Sequence, residues 1–253
     1  MTNTERKSKN HTKIISAQNW KNFVKKLLLP IIYVTRYVFN NVRPPKAQNL
    51  LTIVVRNRAI ETSADYIEQN ISKAMLFDSK EMLWDFALSK ITVQGLYVEF
   101  GVFSGYSINY FSNKITNKNF YGFDSFEGLR EDWVGTSMAK GTFNLDGILP
   151  KLNANVSLVK GWFDDSLPNF LKKHSDNFSF IHFDADTYES TALLLDLIGH
   201  RIVKGTVVVF DEYLGFANWQ NGEYRAWKQF IEKENISYEY LGFSIEQTAI
   251  RIV

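Results

Sequence analysis

Leu96-Tyr97-Val98-Glu99-Phe100-Gly101-Val102-Phe103-Ser104-Gly105 is the stretch whose reading decides the fold. An apolar, β-rich run ends in an acid and passes straight into a turn pinched by two glycines. A buried strand delivers such an acid to the carboxyl edge of a sheet, the glycines let backbone approach a ligand with no Cβ in the way, and a helix can begin near Ser107. Glu99, Gly101, Gly105 and Ser107 are therefore the first candidates for contact with a nucleoside-containing ligand. A plain strand-to-helix turn uses the same residues, so the stretches around it carry the decision.

Asn119-Phe120-Tyr121-Gly122-Phe123 reads as a second aromatic strand, and it runs into Asp124-Ser125-Phe126 about two dozen residues after Gly101. That spacing suits a βαβ unit whose second strand ends in a carboxylate able to accept from both ribose hydroxyls. Asp124 as a mere turn or cap residue is the competing reading. A dinucleotide site needs a middle glycine where the pyrophosphate touches backbone, and here that position is Phe103. S-adenosylmethionine, with an amino acid end and no phosphate, suits the turn better, and the acid Glu99 can meet its ammonium group. The expected cofactor contacts extend to Ser125 and Phe126.

Working outward, short β-rich runs at 96–100, 120–123, 156–159, 178–183 and 206–210 alternate with helical stretches, which predicts a parallel sheet with helices on both faces. Runs at 238–241 and 248–252 add an antiparallel hairpin at one edge. The expectation is an α/β, Rossmann-like, seven-stranded and mostly parallel sheet. Upstream, 60–71 and 79–90 have helical periodicity, with Phe77, Met82, Leu83, Phe86 and Ala87 able to share a face. The glycine-bearing stretch 131–150 is long for a βα connection and reads either as a lid or as a surface loop.

The acids with chemical potential fall at strand carboxyl ends, where an open α/β sheet binds ligands. Asp184 and Asp186 close the fourth predicted strand, and Asp211 and Glu212 the fifth. Neighbouring strand ends would crowd four carboxylates together, so a cation, a proton or a lysine must compensate them. Mg²⁺, a hard ion that takes oxygen ligands, is one solution. Asp184 and Asp211 lining the cofactor pocket without metal is the other.

Tyr97 to Val102, Gly122-Phe123-Asp124-Ser125-Phe126-Glu127-Gly128-Leu129, Lys160-Gly161-Trp162-Phe163, Phe183-Asp184-Ala185-Asp186-Thr187-Tyr188-Glu189-Ser190-Thr191 and Phe210-Asp211-Glu212-Tyr213 together resemble, in order, the motifs of the macrocin O-methyltransferase family. The resemblance covers roughly residue 77 to the end. It implies a class I methyltransferase fold and O-methylation of a sugar hydroxyl on a glycosylated metabolite or surface polysaccharide precursor. Carried over by motif, Asp184, Asp211 and Glu212 are the implied metal ligands, with glutamate standing where the family has aspartate in the last position. Asp186 is the implied general base. His182 is the alternative base, although an apolar strand more often holds a structural histidine. Gly161 and Trp162 follow the third strand, where this fold packs against adenine. Trp219, Tyr224, Arg225, Trp227 and Tyr188 are further candidates for an aromatic and cationic acceptor wall. Competing functions are methylation of a non-sugar small molecule such as a catechol, and a non-catalytic subunit of a polysaccharide assembly complex.

Composition sets the outer bounds. The 253 residues predict one domain over 47–253 preceded by a basic arm over 1–46. That arm holds ten Lys or Arg against one acid, while the remainder holds nineteen basic against twenty-six acidic residues. An acidic body is a poor nucleic-acid binder. With no cysteine, disulfide scaffolds, thiol catalysis and cysteine-ligated zinc are excluded, and a cytoplasmic location is expected. The uncharged run 27–35 is nine residues long and broken by Pro30, too short to span a bilayer. Two roles stay open for the arm: packing on the body or on a second copy of the chain, and peripheral contact with a membrane surface.

Overall fold

The computed structural model describes Leu28 and residues 50–253; the arm expected over 1–46 otherwise lies outside the described residues. Residues 53–253 form one compact unit. Its centre is a sheet of eight strands: β1 (Met75–Leu76), β2 (Leu96–Phe100), β3 (Phe120–Asp124), β4 (Val156–Lys160), β5 (Phe178–Phe183), β6 (Val207–Phe210), β7 (Tyr238–Ser244) and β8 (Gln247–Ile252). Their order is β1-β7-β8-β6-β5-β2-β3-β4. β2 through β6 pair in parallel, and β8 runs antiparallel to both β6 and β7.

All seven expected strands are present, and the hairpin lies toward one edge. The eighth strand, β1, is the departure. It is two exposed residues paired in parallel with Gly242 and Phe243, too short to leave a pattern in the sequence.

Among the described residues, six α-helices of nine residues or more accompany the sheet: α1 (Leu50–Tyr66), α2 (Lys80–Ser89), α3 (Tyr106–Lys114), α4 (Phe163–Lys173), α5 (Tyr188–Ile198) and α6 (Glu223–Glu234). α1 begins ten residues before the expected start and ends in a π-helical turn, Ile67–Ile71. α2 starts where Ser79 accepts the Met82 N–H at 3.3 Å. Its buried face is Leu83, Trp84 and Ala87, whereas Met82, expected on that face, is exposed.

The strands read as apolar runs because helices cover the parallel sheet on both sides. Phe100, Phe123, Phe183 and Phe210 stand in register on four adjacent strands and are fully buried. Their ring centroids are 5.1 to 5.7 Å apart, and Phe183 and Phe210 lie within 9° of parallel. Ring pairs at such distances add about 0.5–1.5 kcal/mol each beyond the area they bury. This row is the last apolar rung before the sheet opens. The next residue on each strand is Gly101, Asp124, Asp184 or Asp211. Ladder hydrogen bonds continue through them: Gly101 N–H to Phe123 O at 2.9 Å, Asp184 N–H to Phe100 O at 2.8 Å, and Asp211 N–H to Phe183 O at 2.9 Å. The acids therefore sit on pinned backbone, not on free loops.

Candidate active site

Two clefts meet at the carboxyl edge of the sheet. The first, about 140 Å³, is lined by the turn after β2, the end of β3, the start of α4 and the segment after β5. Gly101, Asp124, Ser125, Gly161, Trp162 and Asp184, among the expected cofactor contacts, all line it. Gly101 has φ +89°, and a Cβ there would fall 1.7 Å from the Asp184 carbonyl oxygen, so no other residue fits.

Asp124 organises this turn as well as lining the cleft. Its Oδ2 accepts the N–H groups of Val102 at 2.8 Å and Phe103 at 2.7 Å, and its Oδ1 accepts Phe126 N–H at 2.6 Å. A carboxylate has about four lone-pair sites, so capacity remains for a ligand hydroxyl.

Four predicted contacts do not reach the cleft. Glu99 is fully buried behind it, accepting from Ser107 Oγ at 3.0 Å and paired with His182 Nδ1 at 3.0 Å. Ser107 is thereby committed to Glu99. Gly105, at φ +80°, caps α3 and packs on Leu152. Phe126 points into the core and is 2 % exposed. Each is taken up by its own local structure: Glu99 by the buried strand, Gly105 and Ser107 by the start of α3, and Phe126 by the core beneath the turn after β3.

Residues between β3 and β4 supply contacts the sequence did not reveal. Leu129 and Thr142 pair at 2.8 Å, Gly141 donates back to Leu129 at 2.9 Å, and Glu127 bridges Asn144, which folds this stretch into a strap. Leu129, Arg130 and Phe143 of the strap face the first cleft. Arg130 holds Asp164 of α4 through two bonds of 2.9 Å and lies 4.6 Å over the Trp162 ring. Glu131 accepts from Thr187 Oγ1 at 2.6 Å, tying the strap to the start of α5.

The second cleft, about 250 Å³, lies between the strap, the start of α5 and the segment leading into α6. Asp186 lines both clefts. Its backbone is left-handed, at φ 62°, unusual for a residue with a Cβ. Burial, followed by the charges of Asp211 and Asp124, pushes its carboxyl up to about 7. His182 lines neither cleft.

Behind Asp186 the acids crowd more closely than expected. Carboxylate oxygens of Asp184, Asp186 and Glu212 lie within 4.8 Å of one another, as do ligand atoms of His182, Asp184 and Asp211. Asp184 belongs to both groups. The predicted trio Asp184, Asp211 and Glu212 is thus divided between them, because Glu212 turns toward Asp186 and Asp211 toward His182. Glu212 Oε2 and His182 Nε2 are buried with no hydrogen-bond partner. Burial, then Asp211's charge, raises the carboxyls of Asp184 and Glu212 well above the usual range. Hard oxygen donors, excess negative charge and an orphaned carboxylate oxygen are what a divalent cation would satisfy, so the residues fit one.

Two further residues of this centre escaped the sequence reading. Glu223, at the start of α6, is fully buried; it accepts Glu212 N–H at 3.2 Å and faces Ala185 N–H at 3.5 Å. Its carboxyl too is raised, by burial first and then by Asp211. Gln247 of β8 donates to Asp211 Oδ1, and its own Oε1 accepts Trp84 Nε1–H at 2.6 Å. The indole fixes which way the amide points. Of the expected acceptor wall, Trp219 and Trp227 are core residues, while Tyr188 and Arg225 do line the second cleft.

Comparison with known proteins accords with this geometry. Residues 98–213 match the family described as Methyltransferase domain. Among solved structures, CalS11, a calicheamicin methyltransferase, superposes with a TM-score of 0.57 at 20% identity, covering 79% of this chain and 91% of its own. The O-methyltransferase NovP superposes with a TM-score of 0.50 at 19% identity, covering 68% and 79%. No curated protein matches the sequence at a significant level. A pinned acid rung, a glycine turn under an Asp124-lined cleft and the family match lead to one conclusion: residues 98–213 form a methyltransferase domain, on the fold that CalS11 and NovP share.

Proposed function

We propose that the enzyme methylates a sugar hydroxyl of a glycosylated metabolite or a surface polysaccharide precursor, as the macrocin O-methyltransferase resemblance implies. The observation that carries this reading is Asp186, a carboxyl near neutrality that faces both clefts at once. S-adenosylmethionine, when bound, supplies an electrophilic methyl group on a sulfonium. Gly101, Asp124, Ser125 and Trp162 would hold it in the first cleft, with Asp124 accepting from the ribose.

The acceptor hydroxyl would enter from the second cleft, and Asp186 would take its proton. Orientation of two bound reactants contributes on the order of 7–11 kcal/mol, and a general base roughly 10²- to 10⁴-fold. Asp184, shared by both clusters, would hold Mg²⁺ together with Asp211 or Glu212, which fall in different clusters, with His182 and Asp186 beside them; the ion would supply an electrophilic centre for the acceptor oxygen. Glu223 and Gln247 hold this group in place from behind.

S-adenosylhomocysteine release, screened over sugar nucleotides, glycolipids and catechols with and without chelator, tests the proposal. Turnover on a sugar acceptor that stops with chelator and returns with Mg²⁺ supports it. Turnover confined to catechols would replace the sugar reading, and full activity in chelator would remove the metal.

Among the described residues no helix is long and apolar enough to cross a membrane. For the basic arm over 1–46 we keep the proposal of a docking element, toward the body, a second copy or an anionic surface. Sedimentation with anionic vesicles at low and high salt separates the last from the others, at about 1 kcal/mol per basic residue near the surface.

A further inference from the structure

Resting on the methyltransferase reading above, the contents of the second cleft narrow the acceptor. One wall is the ring pair Trp133 and Phe216, with centroids 6.0 Å apart, an apolar face of the kind a sugar ring packs against. Asn218 Nδ2–H donates to Val134 O at 3.1 Å, which ties the strap to the segment before α6 and keeps this wall together. The inner end is Asp186.

At the outer end stands Arg225. Its guanidinium lies 4.6 Å over the Tyr188 ring, and Tyr188 is itself fixed by donating to Gln229 Oε1 at 2.6 Å. Arg130 and Arg225 are the two arginines facing the clefts, and only Arg130 holds a carboxylate among the described residues. The acids that share the second cleft are committed or distant in role. Asp132 accepts Lys140 N–H at 2.8 Å, Glu189 belongs to the first turn of α5, and Asp186 is at the opposite end beside the acid cluster. A guanidinium seated over an aromatic face, with no carboxylate partner, keeps N–H donors of its planar fork available for a carboxylate or phosphate.

We propose that the second cleft is the acceptor site and that the acceptor carries an anionic group bound by Arg225, with its sugar ring against Trp133 and Phe216 and its reacting hydroxyl at Asp186. A glycosyl phosphate and a uronic acid share this chemistry.

Glucose 1-phosphate, glucuronic acid and methyl glucoside serve as probes, titrated calorimetrically into the wild type and R225Q with and without S-adenosylhomocysteine. Anionic probes should bind on the order of tenfold tighter than methyl glucoside, as expected of a charge-assisted pair. The advantage should shrink with added salt and vanish in R225Q, while S-adenosylhomocysteine affinity stays unchanged. Preference for the phosphate or for the carboxylate identifies the source. Equal binding of methyl glucoside, an anion advantage that survives in R225Q, or no binding of any probe would overturn the proposal. Failure of the wild type to bind S-adenosylhomocysteine would instead overturn the cofactor assignment, since anion preference is read in either state.

Discussion

Asp186 holds a left-handed backbone conformation that costs a residue with a Cβ on the order of 1 kcal/mol, and such strain persists only where its surroundings enforce it. As a base it must be ionised, so the methylation rate should rise with pH and level off, and Mg²⁺ beside it would bring that rise below the value of about 7 that burial and neighbouring acids give the metal-free carboxyl. Asp186→Asn should lower kcat by roughly 10²- to 10⁴-fold on the high-pH plateau, by less below it, and abolish that rise, with S-adenosylmethionine affinity retained. A pH-rate profile of both proteins checks this. Gln247 offers a second prediction. Gln247→Leu removes the donor to Asp211 and should lower kcat several-fold without weakening the cofactor, by turnover and calorimetry. Trp84→Phe leaves Gln247 Oε1 buried and unpaired, which should cost about 1–3 kcal/mol of stability in denaturant titration. Asp124, Asp184 and Asp186 were legible because strand, turn and acid follow one another in sequence. Gln247 was not, because its meaning depends on a tryptophan 163 residues away. Glu223 was hidden differently: an acid in the first turn of a helix is ordinary, and only the packing of α6 shows it to be buried.

Among elements, the parallel strands were readable because burial on both faces leaves continuous apolar runs. α1 was readable only in part. Leu50, Leu51, Val54 and Val55 are exposed, so its first half lacks the pattern that marks a core-facing helix. The stretch 131–150 between β3 and β4 was read as either a lid or a surface loop, and the cleft-facing residues of the strap begin earlier, at Gly128. One of its ties to the body is Arg130, which grips Asp164 at a half-exposed site. Exposed ion pairs contribute about 0–1 kcal/mol, so Arg130→Ala should barely change the melting temperature. The same change should raise the Kd for S-adenosylhomocysteine several-fold, because Arg130 also covers Trp162. Paired thermal melts and calorimetry distinguish this from general destabilisation, which would move both.

Across the whole molecule, the carboxyls of Asp184, Asp186, Glu212 and Glu223 all titrate above their unfolded values of 3.8 or 4.5. Between those values and the raised ones the folded chain holds protons that the unfolded chain has released, so stability falls as pH rises through that window. The metal-free protein should melt several degrees higher near pH 5.5 than near pH 8, by scanning calorimetry. A divalent cation bound by the folded state should restore stability at the higher pH.

The brace on Asp211 has one more implication. Trp84 precedes the matched domain over 98–213, and Gln247 and Glu223 follow it. A chimera that grafted 98–213 between a relative's flanks would inherit every motif acid, yet the side chains that orient them would stay behind. The reactive edge is therefore not a portable cassette; its inheritance is tied to the chain's two ends.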